Sequence, residues 1–179
     1  MFSEYKTDMF SVWAFICLFQ IGDALLAYTY GDTPDFVLVE LRRGRLRVAV
    51  EDGSLGNTTW SGSGRLDDGQ WHLLVLSQRG HKQFSVSIDD RLRTTLNIPN
   101  YKHRPSKFDV FGPLYVGGLP AHLLQSRRPH GLTDDVNGFV GCLATLTVNG
   151  VLSDRTASLP PAAVPGLSLI HIWRCRRRG

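Results

Sequence analysis

The chain has 179 residues, 20 Lys and Arg against 16 Asp and Glu, a formal net charge of +4, and three cysteines. That length suits one domain, and 42% hydrophobic with 20% charged residues excludes a disordered or collagen-like chain. No apolar run approaches the ~20 residues of a membrane-spanning helix.

The ends read differently from the middle. Residues 11–22, SVWAFICLFQIG, carry an apolar core that fits three origins. One is a signal peptide, although Glu4, Lys6 and Asp8 replace the usual basic cluster and no small-x-small cleavage site follows. Another is a first strand, buried or at a sheet edge. The third is translation of a pyrimidine-rich tract at the 3′ end of an intron. Residues 1–20 are therefore kept apart from the domain proper.

Residues 21–166 carry the pattern of an all-β domain. Phe36–Leu41 and Arg45–Val50 form two strands joined at Arg43-Gly44, and in the second Leu46, Val48 and Val50 share one face. Trp71–Leu76 is apolar on both faces and reads as a central strand buried between layers. Phe84–Ile88 alternates and ends at Asp89-Asp90. Leu114–Val116 and Cys142–Val148 add two strands, the latter closed by the hairpin dipeptide Asn149-Gly150. With no helix-period stretch between them, these strands indicate an antiparallel β-sandwich or jelly roll. The long connections 97–109 and 121–137 are rich in Lys, Arg and His, where a rigid sandwich carries its binding groups.

Residues 167–179, LSLIHIWRCRRRG, hold Arg174, Arg176, Arg177 and Arg178 and no acid, which accounts for the whole net charge. A basic tail for an anionic partner is one reading. The other is a non-native tail. Leu167–Ile172 can be encoded as CTG TCT CTT ATA CAC ATC, which resembles the transposase end sequence of sequencing libraries. The segment is set aside on that ground.

Six pieces in order carry a family resemblance: ALLAY at 24–28, DFVLVELRRGRLRVAV at 35–50, LDDGQWHLLVLSQRG at 66–80, FSVSIDD at 84–90, GPLYVGGLP at 112–120 and GFVGCLATLTVNG at 138–150. Together they resemble the laminin G-like domain of neurexins, laminin α chains, agrin, perlecan and large cadherins, in a neurexin-type copy. The resemblance implies a module within a larger adhesion protein with EGF-like neighbours, at the cell surface or in the extracellular matrix. It also implies that Cys142 pairs with a cysteine about 25–30 residues later. That position falls where the set-aside tail begins, so the domain reads as truncated there with the native partner missing. Trp71 is expected to fill the space between the sheets. Asn57-Thr58-Thr59 is an N-glycosylation acceptor, expected in a surface turn.

The resemblance further implies one Ca²⁺ at the rim. Its candidate ligands are Asp35, a backbone carbonyl near Asp52, and an acid or amide from Asp134, Asp135 and Asn137. Gly138, directly before Phe139, sets Asn137 one place out of the family register. The bland alternative is that all are solvated turn residues.

A basic surface is the second candidate. Arg42, Arg43, Arg45 and Arg47 surround one hairpin, Lys102, His103, Arg104 and Lys107 lie in one loop, and Arg127, Arg128 and His130 in another. In the family such patches take heparan sulfate or acidic glycans, which guanidinium groups suit. A solvated strand face with Glu40, Glu51 and Asp52 interspersed is the alternative.

Catalytic signals are weak. Asp67-Asp68 and Asp89-Asp90 sit in apparent turns, the histidines show no metal-ligand spacing, and no aromatic array for nucleic acid is present. The expected function is a non-catalytic recognition module binding protein or glycan ligands through rim loops. A steroid-like carrier with an apolar pocket between the sheets, and a carbohydrate-active enzyme with facing carboxylates, are the alternatives.

Overall fold

The computed structural model describes residues 11–18, 23–31, 35–52, 57–80, 82–98, 108, 110, 113–119 and 137–152. Among them are the strands β1 (Ser11–Leu18), β2 (Ala24–Tyr30), β3 (Asp35–Arg42), β4 (Arg45–Asp52), β5 (Asn57–Arg65) and β6 (Trp71–Arg79). They continue with β7 (Gln83–Ile88), β8 (Arg91–Asn97), β9 (Tyr115–Val116), β10 (Asn137–Gly138), β11 (Gly141–Val148) and β12 (Val151–Leu152). One sheet runs β12-β11-β1-β6-β7-β8 and the other β10-β2-β3-β4-β5, with β9 also on β2. The ladders are antiparallel except the short β10–β2 pair. The expected antiparallel β-sandwich is the architecture observed.

Three tight turns hold the register. Arg43-Gly44 (φ 52° and 75°), Asp89-Asp90 (φ 53° and 59°) and Asn149-Gly150 (φ 50° and 78°) place both central residues in the left-handed region. This is the two-residue turn whose twist matches the flanking strands, and Asn and Asp tolerate that conformation better than most side chains. Gly44 has a second reason to be glycine, because a Cβ there would lie 2.4 Å from Asp67 Oδ1.

Period-two alternation then decides what is buried. Leu46, Val48 and Val50 of β4, with Val37 and Leu41 of β3, face Leu74, Leu76, Phe84 and Val86 of the other sheet in one core cluster. Each such side chain contributes about 1.5–3 kcal/mol on burial. Phe84 lies edge-on to Phe108, with ring centroids 5.0 Å apart. The outer face of β3 is covered too. Phe36 and Leu38 cluster with Leu25, Tyr28 and Ala49, against which Tyr30 and Tyr115 pack as a stacked pair. That second layer explains why β3 reads as a nearly continuous apolar run.

Of the two placements left open for a first strand, residues 11–18 take the interior one, as β1 lies between β11 and β6. Several expectations need correcting. β6 is central in its sheet, yet Leu74 and Leu76 are buried on one face while Trp71, Leu73 and Val75 are only half-buried. By that parity Trp71 faces away from the core. It packs against Cys17 and Cys142, so it does not fill the space between the sheets. Asn57 opens strand β5 rather than sitting in a turn. Thr58 Oγ1 then donates to the Asn97 carbonyl of β8 at 3.1 Å, tying the edges of the two sheets together.

The sidedness gives a direct test. Phe84→Ala should cost about 3–5 kcal/mol in denaturant unfolding. Trp13→Ala, at a side chain 50% exposed on β1, should cost about 1 kcal/mol or less. Equal losses would contradict this assignment of faces.

Candidate functional site

The β3–β4 hairpin has two ends, and they carry different chemistry. At the turn end Glu40 is fully buried. A carboxylate removed from water needs cationic partners, and two are supplied: Arg47, its cross-strand neighbour, and Arg42, whose Nε donates to Oε1 at 3.2 Å. Arg42 Nη1 also donates to Asp23 at 2.8 Å, and the Arg43 amide donates to the same carboxylate at 2.8 Å. The Arg42 hydrogen bond, against opposing burial and with help from the Arg43 amide, holds Asp23 below the ordinary carboxylate range. Beside this cluster Arg65 is bound to Asp67, and Arg45 is exposed.

Arg42 and Arg47 are therefore held by buried or half-buried acids, which follows the solvated-face alternative more closely than an open basic patch. The geometry leaves Arg43 and Arg45 at the exposed tip. Lys102, Arg104, Lys107, Arg127 and Arg128 lie outside the described residues.

At the opposite end Asp35 opens β3 directly across from Asp52, is 1% exposed, and its carbonyl accepts the Gly31 N–H at 2.9 Å. Asn137 is not there. It pairs with Ala24, and Ala24 pairs with Leu41 at the turn end. Six residues of strand separate Leu41 from Asp35, about 20 Å. One Ca²⁺ with ligands at 2.3–2.6 Å cannot bridge that gap. The grouping of Asp35 with Asn137 is thus corrected: β10 joins β2 at its first residues, and that pairing carries Asn137 away. Asp134 and Asp135 lie outside the described residues. Asp35 and Asp52 alone do not make a cage, and among the described residues no group of three or more His, Cys, Asp or Glu gathers for a metal.

A polar clamp that the sequence reading did not find lies at the rim of the first sheet. His72 Nδ1 is 3.0 Å from Asp89 and Nε2 is 3.1 Å from Asp68. Asp89 also accepts the Leu73 amide at 3.0 Å, and Asp68 accepts the Gln70 amide at 2.8 Å. Burial by itself would lower the His72 pKa. The hydrogen bonds and charges of Asp89 and Asp68 outweigh it, so the imidazole titrates above its ordinary value. The sequence signal was available in principle, as Asp68 and His72 are four apart, but Asp89 is brought in by the β6–β7 pairing.

Between the sheets lies a cavity of about 60 Å³, bordered by Ile16, Leu26, Val48, Leu76, Phe139 and Leu146 among others. Ligand pockets usually measure ~300–1,000 Å³, so the cavity is too small for the steroid-like carrier. Among the described carboxylates, Asp67 is bound to Arg65, Glu40 to Arg42 and Arg47, and Asp68 and Asp89 to the two ring nitrogens of His72.

Two antiparallel sheets packed face to face over an apolar core, with polar clusters at their rims, define a β-sandwich class of domain. Residues 19–151 match the family model of the Laminin G domain, and the chain belongs to that family. It is 30% identical over 136 residues to neurexin-2 of mouse and of human, a match that covers 75% of this chain and 8% of each relative. Among solved structures it is similar to domains LG4-5 of the mouse laminin alpha1 chain, at 24% identity and a TM-score of 0.73. That match covers 87% of this chain and 39% of the other. The LG1-3 region of the laminin alpha2 chain matches at 21% identity and a TM-score of 0.64, over 86% of this chain and 30% of that one.

The His72 clamp makes stability depend on pH. An imidazole that binds its proton more tightly when folded contributes fully below the unfolded value of about 6.5. The contribution fades as pH rises through the folded value. The stability difference between wild type and His72→Gln, measured by urea unfolding, should be larger at about pH 5.5 than at about pH 8.5. A pH-independent difference would show that the ring does not exchange its proton within the clamp.

Proposed function

We propose that the chain is a non-catalytic, extracellular recognition module of a larger adhesion protein, binding protein or acidic-glycan ligands through the loops and turns at its rims. The observation that carries this reading is membership of the laminin G domain family, together with a rigid two-sheet frame that presents its turns at fixed positions. A pre-ordered frame limits the ordering cost of binding. The Asn57-Thr58-Thr59 acceptor supports the extracellular setting, since it opens an edge strand and Thr59 is exposed.

The Arg43-Gly44 tip is the described part of the glycan-binding candidate, with Lys102, Arg104, Lys107, Arg127 and Arg128 as its proposed loop contributions. The chain should elute from immobilised heparin at higher salt than a neutral protein of similar size. Replacing Lys102, Arg104 and Lys107 together by Ala should lower the eluting salt, because each lost contact removes released counterions. Elution with the neutral control would eliminate the acidic-glycan ligand and leave the protein-ligand reading.

Calcium, where it takes part, belongs to the Asp35–Asp52 end. In calorimetric Ca²⁺ titration of the full chain, Asp35→Asn should abolish the binding heat while Asn137→Ala leaves it unchanged. Loss of binding in Asn137→Ala with retention in Asp35→Asn would reverse this assignment.

A further inference from the structure

The three cysteines fall at 17, 142 and 175, and the strand register brings two of them together. β1 and β11 are antiparallel neighbours, and Cys17 is the direct partner of Cys142. Directly opposed residues of an antiparallel pair have Cα atoms ~4.5 or ~5.5 Å apart. Both spacings lie inside the ~4.4–6.8 Å range of disulfide-linked residues. Their side chains leave the sheet on the same side, are 0% and 4% exposed, and pack together against Trp71.

Two local features create this alignment. The ladder shifts between Phe15 and Ile16, so that Phe15 faces Thr145 while Ile16 faces Leu143. Without that bulge the pairing of Phe15 with Thr145 would continue to set Cys17 opposite Leu143. The extra residue, Ala144, is what moves Cys142 into place. Next to the pair, Gly141 lets β11 lie tightly on β1, since a Cβ there would fall 2.4 Å from the Cys17 carbonyl oxygen.

We propose that Cys17 and Cys142 form a cross-strand disulfide, in place of a bond from Cys142 to the C-terminal tail. The oxidant is a low-molecular-weight or protein disulfide. The thiolate of one cysteine attacks it, forming a mixed disulfide and releasing one thiol. The second thiolate attacks the mixed disulfide at the first cysteine's sulfur and releases the other thiol. Two protein thiols are oxidised, one external disulfide is reduced to two thiols, and the protons end on those leaving groups. Burial orders these events: the bond closes while β1 docks, and the finished sheet then shields it from reductants. The oxidising setting rests on the extracellular reading above, but pairing in a defined redox buffer does not.

The test uses the full chain refolded in mixed reduced and oxidised glutathione, then digested without reduction and mapped by mass spectrometry. The expected result is a peptide pair joining Cys17 to Cys142, with only Cys175 alkylated in denaturant. A Cys175→Ser variant should show no reactive thiol at all. Its melting midpoint should fall by roughly 5–15 °C on reduction, because the bond closes a long loop. Reduction of the folded chain should be far slower than of the chain in denaturant. Alkylation of both Cys17 and Cys142 without reduction, or a Cys142–Cys175 peptide in the wild type, overturns the proposal. Either outcome leaves the heparin and calcium results to stand or fall separately.

Discussion

The rest of the structure depends on one constraint: the inward rows of two sheets must meet. Leu46, Val48 and Val50 project from β4 at period two, and the only way to dehydrate all three is to press them onto Leu74, Leu76 and Val86 opposite. A slip of one residue in β4 would turn that row to solvent and bring Arg45, Arg47 and Ala49 inward. The left-handed turns at Arg43-Gly44 and Asp89-Asp90 prevent such a slip by matching the strand twist. Once the rows are locked, every residue at the rims has a fixed place.

That locking sets the electrostatics of the rims. Glu40 alternates to the outer face of β3 but is buried there, so it draws in Arg42 and Arg47. Those arginines read as ligand-binding cations in a charge count, yet they serve first to neutralise a buried acid. His72 shows the same logic with the signs reversed, one ring held between two carboxylates. In each case a polar group at the sandwich margin is stabilised by partners from other strands, and its availability to a ligand is reduced accordingly. Arg43 and Arg45 remain exposed at the tip of the hairpin.

Six strands could be read from the sequence, β3, β4, β6, β7, β9 and β11, and the alternation is clearest in β4, where Leu46, Val48 and Val50 share one face. β5 and β8 were missed because they are edge strands: NTTWSGSGR offers Trp60 alone as a large apolar residue, and RLRTTLN leaves Leu92 exposed. β6 and Trp71 were misjudged because a run of apolar residues looks the same whether its second face is covered by a sheet or by a few side chains. The candidate site was less legible. Asp35 and Asp52 could be paired from the hairpin, since the contact is local in sequence. Asn137 was placed with them wrongly, because its position depends on a parallel pairing with β2 across more than a hundred residues.

What the sequence determined by itself follows from local physics: an all-β chain, its two-residue turns, the faces of its alternating strands, and a family pattern long enough to be recognised in order. It also located the net charge in the last thirteen residues and left the domain nearly neutral. Only the tertiary structure decided which end of the hairpin each candidate ligand occupies, which arginines are committed to Glu40, and that Cys17 meets Cys142 through a one-residue bulge. Those outcomes rest on register between strands distant in the chain. Register is set by burying whole faces at once, a condition no single segment of sequence carries.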